Sequence, residues 1–252
     1  MSEPVLYEVD GAVARLTLAR PERRNALSDE MVEGLLAGFA RALAEEQVRA
    51  IVLTAQGDTF CAGADLKAGG IEARAGEQPF VRLLRTMWNS PKPVVGCVPG
   101  SAYGGGVGLV AACDLVLLAE EASFAFSEVR IGVVPAMISV VVLPKIGVHH
   151  AMWLFLTGER FDAKRALQIG LAHRVMPRAE LPRGLEELLA MLRLAGPNAL
   201  REAKRLVRDV PRMAMDDAFR HTSALIAELF ASAEAQEGMR AFAEKRKPSW
   251  AS

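Results

Sequence analysis

Between Lys92 and Asp114 the chain runs for 21 residues, Pro93 to Cys113, without a single charge. That is long enough to cross a bilayer. Pro93, Pro99 and six glycines interrupt it, however, and its apolar side chains cluster at its two ends. Prolines and glycines at this density do not sustain one continuous helix. The stretch therefore predicts a buried strand, a tight turn and a buried helix, all inside a protein with a sizeable core. A chain of 252 residues that is 51% hydrophobic and 24% charged can supply that core.

The flanking sequence continues the pattern. Val5–Val9 and Val13–Ala19, split by Asp10-Gly11, predict a hairpin, because an Asp-Gly pair suits the tight turn. Ser28 is placed to cap a helix whose apolar residues Met31, Val32, Leu35, Leu36, Phe39, Ala40 and Leu43 recur at helical spacing. Short apolar strands follow at Ala50–Thr54, Pro93–Val98 and Asp114–Ala119, with a short extended piece at Ser123–Phe126. Helices are expected between them, one ending near Asn89 and one over Gly104–Ala112. This alternation predicts an α/β fold with parallel strands. Beyond about Pro144 the pattern turns helical over 148–158, 162–169, 179–194, 197–208 and 211–245, with one strand at His173–Val175. The apolar face Met213, Ala218, Leu225, Leu229 and Phe230 is wider than a lone helix needs, and predicts burial against the core or another subunit.

Charge and cysteine content narrow the function classes. Thirty basic residues balance thirty acidic ones, which leaves no basic surplus for neutralising nucleic-acid phosphates. Cys61, Cys97 and Cys113 are odd in number and widely spaced, which argues against a disulfide framework or a closed zinc site. A reducing, cytoplasmic setting is expected, and the N-terminus shows no secretory pattern. No metal-ligand spacing links His149, His150, His173 and His221, so no metal is expected.

Three stretches could carry chemistry. Phe60-Cys-Ala-Gly-Ala-Asp65 is either a plain tight loop or a loop whose backbone N–H groups face a ligand. In Gly100-Ser-Ala-Tyr-Gly-Gly-Gly-Val-Gly108, glycines open a helix, and free N–H groups with the helix dipole favour an anion such as a phosphate or an enolate. A dinucleotide-binding reading of Gly106-Val-Gly108 lacks the acidic residue that should follow. In Phe124-Ala-Phe-Ser-Glu-Val-Arg-Ile-Gly132, Glu128 stands among apolar residues, where desolvation raises a carboxylate toward the range useful for proton transfer. An ion pair with Arg130, or a capping role, is the equal alternative.

Taken with Arg20-Pro-Glu-Arg-Arg-Asn-Ala-Leu27, Cys113-Asp114 and the tail Glu237–Trp250, these stretches resemble the crotonase (enoyl-CoA hydratase/isomerase) superfamily over nearly the whole chain. The resemblance implies a spiral of ββα turns over residues 1–195 and a C-terminal helical region, 196–252, that builds trimers, often paired into hexamers. It implies an acyl-CoA substrate and no cofactor. Matched residue by residue, the oxyanion hole falls on the N–H groups of Ala64 and Gly105, with Glu128 as the catalytic carboxylate. Arg24, Ala26, Ala62, Asp65, Leu66 and Lys67 match positions that cradle CoA. Phe242 and Lys245 match tail positions that reach the CoA of a neighbouring subunit, where the basic surplus of the tail suits phosphates.

One departure matters. Typical hydratases of this superfamily carry two glutamates, and the first position here is Gly108. The retained Glu128 fits Δ3,Δ2-enoyl-CoA isomerases, which work with one carboxylate. The wording Ser-Glu-Val-Arg-Ile-Gly, then Val-Val-Pro-Ala-Met-Ile-Ser139, is nearer to methylglutaconyl-CoA hydratase-type proteins, some of which also have glycine at that position. Hydration of a 2-enoyl-CoA is therefore the expected reaction, with isomerisation as the alternative. A trimer that binds acyl-CoA or RNA without catalysis is a remoter one.

Overall fold

The computed structural model describes residues 3–65 and 77–251. The expected hairpin forms from β1 (Val5–Asp10) and β2 (Val13–Leu18), paired antiparallel across Asp10-Gly11. Helix α1 (Asp29–Ala44) follows, and Ser28 Oγ caps it by accepting from Met31 N–H at 3.3 Å. From there the chain repeats one unit three times: a strand, a very short second strand, a helix. The first turn is β3 (Ala50–Ala55), β4 (Thr59–Cys61) and α2 (Pro79–Asn89). Next come β5 (Val94–Val98), β6 (Ser101–Tyr103) and α3 (Gly105–Ala112). The third has β7 (Leu115–Ala119), β8 (Ser123–Ala125) and, after a 3-10 turn at Glu128–Ile131, α4 (Ala136–Thr157).

The two strands of each turn enter different sheets. The longer ones join a six-stranded sheet of order β1-β2-β3-β5-β7-β10, with β10 at Arg174–Met176. The shorter ones form β4-β6-β8-β9, with β9 at Arg160–Asp162. Within the second sheet β4, β6 and β8 are parallel neighbours, so their carboxyl ends share one edge. This is the ββα spiral of the crotonase fold. The uncharged stretch supplies β5, β6 and α3, and every residue of α3 from Gly106 to Ala112 is buried.

Helix α4 begins at Ala136, well before the expected 148. It is long and apolar enough by length and composition to cross a bilayer. Gly147 has non-helical angles (φ 71°, ψ 162°) and divides it, so neither half has the roughly 20 residues a span requires. Its outer face exposes Val140, Val148, Met152, Trp153 and Leu156.

The chain forms two compact units: Met1–Ser90 with Val94–Leu185, and Pro91–Pro93 with Glu186–Ser252. The first closes with α5 (Ala163–Gln168), which Asp162 caps, and the start of α6 (Leu181–Leu194). The second holds the rest of α6, α7 (Pro197–Asp209), α8 (Met215–Ala231) and α9 (Ala233–Ala243). The single helix expected over 211–245 is broken, because Ser232 is extended (φ −71°, ψ 151°) and its hydroxyl caps α9 at Ala235 N–H. No residue of α8 is fully buried, and Phe230 is exposed. The remaining residues of the apolar face predicted for burial, Met213, Ala218, Leu225 and Leu229, are only partly buried within the single chain.

His173 sits where β10 begins and accepts a hydrogen bond at Nδ1 from Val116 N–H at 3.1 Å. Burial holds its pKa below the ordinary 6.5, and the Lys145 ammonium adds to that against an opposing effect of Asp114. The unfolded chain therefore takes up this proton at a higher pH than the folded one. The contribution of His173 is full above pH 6.5 and is lost as pH falls from there through the folded-state value. Thermal melts between pH 7.5 and 5 should show part of the acid-side loss of Tm disappearing in His173→Gln. An identical pH dependence in the variant would refute the assignment.

Candidate active site

Three loops leave the shared edge of the small sheet: Ala62–Asp65 after β4, Gly104–Gly106 after β6, and Ser127–Glu128 after β8. Parallel pairing of those strands is what makes neighbours of segments so far apart in sequence.

The first loop is held open from one side by Arg24–Leu27. Ala62 N–H donates to Arg24 O at 3.0 Å and Leu27 N–H to Gly63 O at 2.8 Å, with a parallel bridge between Leu27 and Ala64. Asn25 anchors that strip. It is fully buried with left-handed φ (51°), a conformation asparagine tolerates better than most residues. Its Oδ1 accepts from Arg20 N–H at 2.8 Å, and its Nδ2 donates to Gln56 O at 3.0 Å and to Thr59 O at 2.8 Å.

From the other side the glycine loop presses against it. A Cβ at Gly63 would lie 2.8 Å from Tyr103 O and 3.5 Å from Gly105 N, and one at Gly106 only 2.3 Å from Cys61 O. Two backbones thus meet with no side chain between them. Gly104 turns the chain into α3 with φ 50° and ψ −118°. The N–H groups of Ala64 and Gly105 donate to no acceptor among the described residues. Gly105 opens α3, so its N–H lies at the positive end of the helix dipole.

Glu128 completes the edge. Its Oε1 lies 3.1 Å from where a Gly104 Cβ would be. Its Oε2 is buried and has no hydrogen-bond partner among the described residues. Burial pushes its pKa above the ordinary carboxylate value, against a smaller opposing effect of its own backbone N–H. Arg130 does not pair with it. The guanidinium reaches Thr157 O instead, at 3.4 Å, over the carboxyl end of α4, where a cation meets the negative end of the helix dipole. Of the two equal readings of Glu128, the ion pair with Arg130 is absent.

Further along the start of α3 the neighbours are hydrocarbon. A Cβ at Gly105 would stand 2.7 Å from Leu27 Cδ1 and 3.4 Å from the Phe80 ring, and one at Gly108 only 2.3 Å from Ile138 Cγ2. No second acid can be seated at Gly108 while Ile138 occupies that space. Among the described residues no cluster of acids, histidines and cysteines could hold a metal ion. Cys61, next to the loop, is buried and pushed up to about 12, so its thiol stays protonated.

The sequence and the fold are shared with known proteins. The enoyl-CoA hydratase/isomerase family profile matches residues 8–252. The chain belongs to that family. It is accordingly an enzyme. A provisionally named enoyl-CoA hydratase of Thermus thermophilus is 38% identical over 94% of this chain and 97% of its own. Carnitinyl-CoA dehydratase of Escherichia coli K12 is 34% identical, with 99% of each covered. A crystal structure of an enoyl-CoA hydratase from Shewanella pealeana superposes with a TM-score of 0.93 at 32% identity, covering 98% of this chain and 96% of that one.

The structure gathers Ala64, Gly105 and Glu128 on one edge. Partly exposed Ala62, Ala26 and Asp65 lie along the first loop and its partner strip with exposed Arg24, and Asp65 reaches Arg23 at 3.9 Å. Leu66 and Lys67 lie outside the described residues. Phe242 and Lys245 belong to the second unit: Phe242 is 87% exposed at the end of α9, and Lys245 follows it with left-handed φ (55°). The basic tail is less free than its count suggests, since Arg246 is held by Glu237 and Glu244. The sequence singles out neither Asn25 nor Phe80, and it gives Ile138, within the stretch 137–142 expected to wall the acyl pocket, no side-chain direction. Asn25 stood within the Arg20–Leu27 signature, whereas nothing in the sequence brings Phe80 or Ile138 to the glycine helix.

Asn25→Ala leaves the backbone groups of Arg20, Gln56 and Thr59 without this partner, each group costing about 1–3 kcal/mol where burial keeps water away. Chemical denaturation should show a loss of at least that order, with a larger fractional loss of activity as the Ala62–Asp65 loop relaxes. Stability equal to the parent would show that the clamp is dispensable.

Proposed function

We propose that this enzyme hydrates a 2-enoyl-CoA thioester, or runs the reverse dehydration. The observation that carries the reading is a buried Glu128 oxygen on the same edge as two backbone N–H groups, none of the three having a hydrogen-bond partner among the described residues. The thioester oxygen sits between Ala64 N–H and Gly105 N–H, which stabilise the negative charge of the enolate. Removing one such donor typically costs about 10²–10³ in rate. Glu128 takes a proton from water as the oxygen of that water bonds to the β-carbon. The same carboxyl then returns a proton to the α-carbon on the same face. A raised pKa suits both steps, since it makes the carboxylate a better base and keeps the acid form available. The name of the Escherichia coli relative, a dehydratase, supports the water-adding class of reaction.

With Glu128 the one carboxylate placed beside the glycine loop among the described residues, a branched or carboxylated acyl group such as 3-methylglutaconyl fits best, its own carboxylate helping to hold the water. The same observation favours one other reading, a Δ3,Δ2-isomerase in which Glu128 carries a proton between carbons. Following enoyl-thioester absorbance with crotonyl-CoA, 3-methylglutaconyl-CoA and a 3-enoyl-CoA separates them: hydration consumes the signal and isomerisation creates it. Glu128→Gln should lower turnover by about 10²–10⁴ while leaving acyl-CoA affinity nearly intact. In the hydration direction kcat/KM should fall on the acid side, at a pH above the ordinary carboxylate value of 4.5. A Glu128→Gln enzyme that remains active would exclude this mechanism.

CoA is assigned to Arg24, Ala26, Ala62, Asp65, Leu66 and Lys67, with Phe242 and Lys245 reaching the CoA of a neighbouring copy. The exposed Phe219, Ile226 and Phe230 of α8, with the exposed apolar residues of α4, support assembly into a trimer or a pair of trimers in which the 196–252 region is the main contact. Light scattering should give a mass of three or six chains; a monomer at micromolar concentration would refute it.

A further inference from the structure

We propose that Ile138 sets the size of the group accepted at the β-carbon of the acyl chain, making it a specificity-determining residue. The inference rests on the acyl-CoA reading above. Gly104, Gly105 and Gly108 lie near one another at the start of α3, and Gly108 N–H donates to Gly104 O at 3.2 Å. An acyl group whose oxygen is held at Gly105 N–H, with its reactive carbons beside Glu128, starts at the first turn of that surface. Carbon–carbon bonds of about 1.5 Å then bring a β-substituent toward the second turn, about 5.4 Å along the axis. What stands there is Ile138, from the first turn of α4.

The contact has an unusual property. Ile138 is 3% exposed and is seated directly on a residue that has no side chain. The Phe80 ring is the next nearest group, 3.7 Å from the Gly108 Cβ position, and it also borders Gly105. Truncating Ile138 therefore opens space over bare backbone, with no side chain at position 108 to fall into it. The space would border Phe80 and lie one helical turn from the carboxylate. Nothing ionisable is introduced or removed, because α3 carries no charged residue and the first two turns of α4 carry none either.

The test uses saturated thioesters, which bind without reacting. Calorimetry would compare butyryl-CoA with 3-methylbutyryl-CoA on the full-length wild type, Ile138→Val and Ile138→Ala. The preference for the branched ligand over the straight one should rise by about 10-fold or more in Ile138→Ala, the effect expected of a methyl-sized space in an apolar pocket. Ile138→Val should move the same way by less, and it guards against loss of folding in the alanine variant. An unchanged ratio in variants that fold and bind butyryl-CoA would overturn the proposal while leaving the acyl-CoA reading intact. A wild type that binds neither thioester would overturn both.

Discussion

The contact between two stretches of bare backbone, Cys61–Ala64 and Tyr103–Gly106, organises the rest of the first unit. It allows no side chain at Gly63 or Gly106, since a Cβ would lie 2.8 Å or less from a carbonyl oxygen at either position. That proximity brings two main-chain donors to one place, and donors already fixed need no reorganisation when charge develops. Asn25 maintains it from behind by holding the strip that the first loop pairs with. The small sheet maintains it from below, because β4 and β6 must stay in register for the loops to meet.

The same geometry explains why the carboxylate is tuned as it is. Glu128 follows the third strand of that sheet and comes to rest, half-buried, beside the backbone of Gly104. With Arg130 committed to the end of α4, no cation among the described residues pairs with it, and burial raises its pKa. Phe124, Phe126, Phe155 and Phe161 form a linked aromatic cluster, with centroids 4.7–6.0 Å apart, that ties β8 to β9 and to α4. The position of the acid is therefore set by packing, and its chemistry by the absence of a partner.

Much of this was legible in the chain, and what was not has physical reasons. The Asp10-Gly11 hairpin, the Ser28 cap and the longer strands announce themselves through local turn chemistry and apolar runs. Strands β6 and β9 do not: three residues are too few to show a period, and they exist through pairing with β4 and β8. The threefold ββα unit leaves no repeat in the sequence, because what recurs is a path of the backbone and not a set of side chains. The break between α8 and α9 hangs on one serine in a pattern otherwise continuous. At the site, Ala64, Gly105 and Glu128 could be located because each lies in a distinctive word. Ile138 and Phe80 are ordinary apolar residues whose significance comes only from what they touch.

The two donors on this edge, Ala64 N–H and Gly105 N–H, are main-chain amides, whereas the acid of the same edge is a single side chain. The two halves of the machinery are therefore inherited on different terms. Only proline removes an amide hydrogen, so most codon changes at Ala64 leave the donor in place, and the cramped backbone at Gly63 and Gly106 purges the changes that would move it. The acid, by contrast, is lost by almost any single replacement at position 128. Under random replacement the two donors therefore outlast the carboxylate that stands with them.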